Sequence, residues 1–187
     1  VVPVRSVASI SRVTIDPSTM DDTVDLFSIP ALDATGTPET VRSNTIDSGK
    51  LLLSGGEVLI SKLNPRKPRV HLVDDNLARQ SVSSPEFVAL RPNAATDPRY
   101  LSYALLSERT RQDLDAEVRS ATRSHQRVEP STILSIRIAA PSSGDQRRIA
   151  DFLDDQVARI DAMITARRRQ LTLGEAMLNA ALADLMT

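Results

Sequence analysis

SGDQRRIADFLDDQVARIDAMITARRRQLTLGEAMLNAALADLMT, residues 143–187, decides how this chain is organised. The segment has no proline, and steps of four and three along it pass through Leu153, Val157, Ile160, Ile164, Leu171, Leu178, Ala181 and Leu185. Only Arg167 and Gly174 interrupt the series. That spacing returns side chains to one face of a helix and makes a heptad seam. Helical throughout, the segment would run roughly 60 Å, against about 30 Å for a small domain. Nothing upstream offers a helix of comparable length, so the seam is expected to pair with another chain or with a further part of a longer one. Gly174 costs about 1 kcal/mol of helix propensity and marks a bend or a close crossing. Ser143-Gly144-Asp145-Gln146 has the form of a capping box, with Ser143 and Gln146 satisfying orphan amides at the helix start.

Upstream of Pro141 the texture is different. Gly55-Gly56 signals a turn, followed by a strand at Val58–Ile60. Further short strands are expected at Val70–Val73, Phe87–Leu90 and Ile133–Ile138, the last from alternating apolar and polar residues. Asp97-Pro98 opens a helix through Tyr100, Leu101, Ala104 and Leu105, and Arg109–Val118 reads as a second one. The predicted fold class is α+β: a mixed globular domain of short strands and helices over 1–141, then one long C-terminal coiled-coil helix over 142–187.

Composition narrows the function. The 187 residues hold no cysteine, which excludes disulfides, thiolate metal sites and cysteine nucleophiles and fits a reducing cytoplasm. No apolar run approaches the ~18 residues of a membrane span. The chain opens on Val1-Val2-Pro3, which fits a trimmed or internal start. Two histidines, His71 and His125, lack any metal-ligand spacing, so no metal site is expected. The glycines form neither phosphate-binding turn, and no Gly-x-Ser-x-Gly elbow presents a nucleophile. No catalytic residue is assigned; His125 as a general base lacks a carboxylate partner at a recognisable spacing. The aminomethyltransferase tetrapeptide is missing too, since Asn64-Pro65 runs on into Arg66-Lys67.

Net charge is −1, yet the charges are clustered. Acidic residues dominate from Asp16 to Asp47, whereas Lys62, Arg66, Lys67 and Arg69 crowd one segment stiffened by Pro65 and Pro68. A second cluster, Arg119, Arg123, Ser124, His125, Gln126 and Arg127, mixes cations with hydrogen-bonding groups. Screening confines each charge to about 8–10 Å, so a near-neutral protein still binds phosphates through a local patch. Cations suit phosphates, while Asn64, Arg and Gln also suit base edges. Taken alone, each segment reads equally well as a solubilising loop.

Order along the chain breaks that tie. Gly56-Glu57-Val58-Leu59-Ile60-Ser61-Lys62-Leu63-Asn64-Pro65-Arg66 resembles the central motif of type I restriction–modification specificity subunits. Ser84-Pro85-Glu86-Phe87-Val88-Ala89-Leu90-Arg91-Pro92 is similar to the next, followed by Ser124-His125-Gln126-Arg127-Val128 and Ile136-Arg137-Ile138 with Pro141. Gln146-Arg147-Arg148-Ile149-Ala150-Asp151-Phe152-Leu153-Asp154 resembles the start of that family's spacer helix, and Phe27-Ser28-Ile29-Pro30-Ala31-Leu32 is similar to a family segment. The family's Pro-Pro-Leu before the Gln is replaced by Pro141-Ser142-Ser143-Gly144-Asp145.

The resemblance implies one half of a non-catalytic subunit that reads part of a bipartite target in double-stranded DNA. It implies methyltransferase and restriction subunits as partners, with S-adenosylmethionine held by the methyltransferase and no cofactor held by this chain. A second half-subunit, as a homodimer, would pair through the seam. The residues assigned to DNA are Lys62, Asn64, Arg66, Lys67, Arg69, Arg119, Arg123, Ser124, His125, Gln126 and Arg127. The alternative is a dimeric coiled-coil adaptor that binds protein, with the basic segments as incidental surface.

Overall fold

The computed structural model describes residues 1–65, 67–118 and 127–185. In chain order these form β1 (Val2–Pro3), β2 (Ala8–Ser11), β3 (Thr14–Ile15), β4 (Thr23–Phe27), α1 (Ile29–Thr35), β5 (Glu39–Arg42), β6 (Lys50–Leu53) and β7 (Val58–Ser61). There follow β8 (Val70–Leu72), β9 (Ser81–Ser83), β10 (Phe87–Pro92), α2 (Pro98–Leu106), α3 (Glu108–Val118), α4 (Pro130–Ser135), β11 (Arg137–Ile138) and α5 (Ser143–Leu185). The chain divides into two units, Val1–Arg147 and Arg148–Thr187.

The first unit is built on an antiparallel sheet of order β2-β10-β7-β8. Val58, Ile60, Val88 and Leu90 leave one face of it and pack with Leu101, Leu105, Leu114 and Ile133 from α2, α3 and α4. Leu59, Phe87 and Ala89 leave the opposite face and pack with Phe27, Leu53 and Val73. Burial on both faces is why Val58-Leu59-Ile60 and Phe87-Val88-Ala89-Leu90 are unbroken apolar runs rather than alternating ones. A second sheet, β3-β6-β9-β4-β5, is antiparallel except where β4 runs parallel to β9. β1 pairs with β11.

Local chemistry sets the boundaries. Asp97 caps α2 by accepting from the amides of Arg99 and Tyr100 at 2.9 and 3.2 Å, with Pro98 supplying a first-turn residue that needs no partner. The β6–β7 turn requires glycine: Gly55 has φ +93°, and a Cβ there would lie 2.7 Å from the carbonyl oxygen of Asp75. Glu57, fully buried beside that turn, accepts from the Ser54 amide at 3.1 and 3.2 Å and pairs with Arg91.

Two expectations are corrected. Ile133–Ile138 is not a strand: α4 covers Pro130–Ser135, and only Arg137 and Ile138 are extended. Pro130 opens the helix at its first turn, and Ile133 and Ile136, three apart, both enter the core. The cap of α5 is Ser142, one residue earlier than the sequence form implies. Its hydroxyl accepts from the Asp145 amide at 3.2 Å and donates to the Asp145 carboxylate at 2.7 Å. Gln146 is left to bond the Asp97 amide and the carbonyls of Ala95 and Pro141.

The second unit lies wholly within the stretch that the heptad seam marked as helical. On α5, Val157, Ile160, Ile164 and Leu171 are between 43% and 68% exposed, and Leu153 is half-buried. The side chains of Leu178, Ala181 and Leu185 lie outside the described residues. The fold class is as expected: mixed short strands and helices followed by one long C-terminal helix.

Candidate nucleic-acid interface

The basic segment 62–69 is the connection of the β7–β8 hairpin, whose register pairs Ile60 with Val70. The Ser61 amide donates to the Arg69 carbonyl at 2.9 Å, which closes the neck of the loop. At its tip the Lys67 amide donates to the Asn64 carbonyl at 2.9 Å. Asn64 takes φ +49°, a left-handed conformation that Asn tolerates better than most residues. Asn64 and Lys67 are exposed, and Lys62 is partly so.

Three segments distant in sequence meet at the base of this loop. The Lys62 amide donates to the Glu86 carbonyl at 2.8 Å, and the Lys62 carbonyl accepts from the Val128 amide at 2.9 Å. Leu63 bridges to Arg127 in antiparallel fashion, and the Arg127 guanidinium pairs with Glu86 Oε1. Glu86 Oε2 is buried without a hydrogen-bond partner among the described residues. The backbone thereby brings together the 56–66 motif, the 84–92 motif and the C-terminal end of the 124–128 motif.

A fourth segment restrains the cations. Asp33 of α1 accepts a two-point pair from Arg69 Nε and Nη2, both at 2.8 Å, and Lys67 Nζ lies 3.4 Å from it. The Arg69 hydrogen bond holds the Asp33 carboxyl down at about 2, and the same bond raises Arg69. Arg69 keeps only 16% of its side chain exposed, whereas Lys67 keeps 66% and Arg127 55%. Arg69 therefore ties the hairpin to α1, and Lys62, Lys67 and Arg127 offer more charge to a ligand. Arg66, Arg119, Arg123, Ser124, His125 and Gln126 lie outside the described residues.

Asp33 and Glu86, which organise the cluster, were not assigned from the sequence. Glu86 sits within the second motif and Asp33 directly follows the Phe27–Leu32 segment, but an acid flanked by apolar residues carries no local mark of a distant arginine. His71 packs on Phe27 with ring centroids 5.3 Å apart, and burial pushes its imidazole below the ordinary value. Among the described residues, no group of three or more His, Cys, Asp or Glu side chains could hold a metal ion. None of the described helices is long and apolar enough to cross a membrane.

No protein-family model matches the chain, and no curated protein does. Solved structures do. One, described as the structural basis underlying complex assembly and conformational transition of the type I R-M system, matches with a TM-score of 0.79 at 21% identity, over 98% of this chain and 48% of that one. The HsdS subunit from Thermoanaerobacter tengcongensis matches with a TM-score of 0.71 at 21% identity, over 87% of this chain and 43% of that one. The chain has the HsdS fold. It spans about half the length of the HsdS and type I R-M chains that it matches. The motif resemblance and the fold point to the same architecture by separate routes.

Proposed function

We propose that this chain is a non-catalytic recognition half of a type I restriction–modification specificity subunit, reading one part of a bipartite DNA target. The observation that carries the reading is the convergence of three motif segments on one cationic hairpin in a chain of HsdS fold. A two-proline loop pinned at its neck, its base and its Arg69 is ordered before binding, so little entropy is lost when phosphates arrive. Lys62, Lys67 and Arg127 dock phosphates; Asn64, together with Arg123, His125 and Gln126, addresses base edges.

The wide apolar face of α5 supports the partners. Phe152 and Leu173 are 63% and 64% exposed and lie beside the seam rather than on it. One helix pairing on the seam leaves them uncovered, so the face suits more than one helical neighbour. A second half-subunit takes the seam, and methyltransferase and restriction subunits dock alongside, in the cytoplasm. S-adenosylmethionine belongs to the methyltransferase. Equilibrium titration of random duplex DNA across salt concentrations tests the reading. A linear log–log dependence with a slope of several units supports phosphate docking. Salt-independent or absent binding supports the coiled-coil adaptor.

A further inference from the structure

Asp33 of α1 makes with Arg69 the contact that a phosphate makes with an arginine. Its two oxygens lie 2.8 Å from Arg69 Nε and Nη2, and Lys67 Nζ lies 3.4 Å from one of them. A two-point fork on a guanidinium, with an ammonium alongside, is also how a phosphate group is held. Because the carboxylate belongs to the same chain, its effective concentration at the two cations exceeds that of a free anion. These separations are far shorter than the screening length of about 8–10 Å, so the trio presents one net positive charge instead of two.

We propose that Arg69 and Lys67 form a seat for DNA backbone phosphate that Asp33 keeps filled, so that this end of the hairpin engages one phosphate in place of two. The proposal rests on the DNA-binding reading above and adds an internal competitor to it. The Asp33 side chain is 32% exposed, so the seat opens on solvent. Glu86 offers a contrast: it meets Arg127 through Oε1 alone and leaves that side chain 55% exposed. Every duplex carries the same phosphates, so charge withheld at Asp33 lowers affinity for all sequences and leaves discrimination to base contacts.

The shape of the loop does not depend on Asp33. Backbone bonds close it, from Ser61 to Arg69, from Lys67 to Asn64 and from Lys62 to Glu86, and among the described residues no backbone bond joins α1 to it. A carboxylate that served only as a brace would loosen the hairpin when lost, and binding would weaken. Loss of a carboxylate that fills a phosphate seat has the opposite sign. Each phosphate neutralised adds about 0.9 to the log–log salt slope, which is about eightfold in affinity at roughly 0.1 M salt.

The test is titration of a labelled duplex of unrelated sequence with the full chain and three variants across salt concentrations. Asp33→Asn is expected to bind about eightfold more tightly at roughly 0.1 M salt, with the slope steeper by about 1. Arg69→Gln is expected to bind about eightfold more weakly, with the slope shallower by about 1, because Asp33 then neutralises Lys67. The double variant returns to within about threefold of wild type, since Lys67 again supplies the one net charge. Wild-type protein with no salt-dependent binding overturns the DNA-binding reading and the seat with it. Where wild type binds, an Asp33→Asn chain that binds no more tightly overturns the seat alone. An unchanged slope in Arg69→Gln does the same, and that readout stands even if Asp33→Asn fails to fold.

Discussion

Replacing Glu57 tests whether the β6–β7 turn is held by a buried carboxylate acting on backbone or by an ion pair. Glu57 is fully buried, and its carboxylate accepts from the Ser54 amide through both oxygens while pairing with Arg91, itself half exposed. Glu57→Ala removes the bond to the amide of the exposed Ser54, worth about 0.5–1.5 kcal/mol. It removes a buried methylene, worth about 0.8 kcal/mol. It also frees an arginine that water re-solvates at about 0.2–1 kcal/mol. The carboxylate's own desolvation cost is recovered and offsets part of this, leaving a net loss of about 1–3 kcal/mol. Glu57→Gln keeps an oxygen for Ser54 and loses about 1 kcal/mol; Arg91→Ala loses under about 1 kcal/mol. Urea unfolding at constant m-value is the assay. If Arg91→Ala costs as much as Glu57→Ala, the ion pair rather than the amide bond holds the turn and the reasoning fails.

Three further outcomes are expected. Gly55→Ala loses about 1–3 kcal/mol from its positive φ alone, and more because the new Cβ meets the Asp75 backbone; a smaller loss by urea unfolding means the turn can re-form around it. Asp33 has its carboxyl lowered from 3.8 to about 2, so its pair with Arg69 contributes fully above the ordinary carboxylate range and is lost as pH falls from about 4 towards about 2. Carboxylate NMR should find that midpoint, and Asp33→Asn should flatten the acid limb of stability in that window; an Asp33 midpoint near 3.8 contradicts the pairing. Lys62→Ala and Lys67→Ala should each weaken binding evenly across DNA sequences and reduce the log–log salt slope by about 1; a change in sequence preference instead makes the residue a base reader.

Much of the fold was legible because single elements carried their own signals. The Asp97-Pro98 cap, the Gly55-Gly56 turn and the apolar runs of β7 and β10 depend on neighbours in sequence, and the structure has each of them where expected. The Ile133–Ile138 reading failed because three isoleucines, at 133, 136 and 138, satisfy a helical and an extended period over so short a window; Pro130 was the deciding residue. Ser142 and Ser143 are both able to cap, and the choice fell to Ser142 because Gln146 is occupied by the Asp97 amide, 49 residues away.

The site was legible as a set of cations but not as an arrangement. Arg69 looks like its neighbours in composition, and only the fold, which delivers Asp33 from α1, turns it from a phosphate donor into a tie. Arg127 likewise gains its place from Glu86 and from Leu63, in segments remote in sequence. Long-range pairs of this kind leave no periodic trace, whereas the α5 seam is written in consecutive residues.

The most direct test of sequence reading is selection from a random duplex pool by the purified chain, alone and with a methyltransferase subunit, followed by sequencing. The account predicts an enriched interrupted palindrome, because two copies related by a two-fold axis present the same reader to both half-sites. A pool that emerges unenriched under both conditions, at low and at moderate salt, contradicts it.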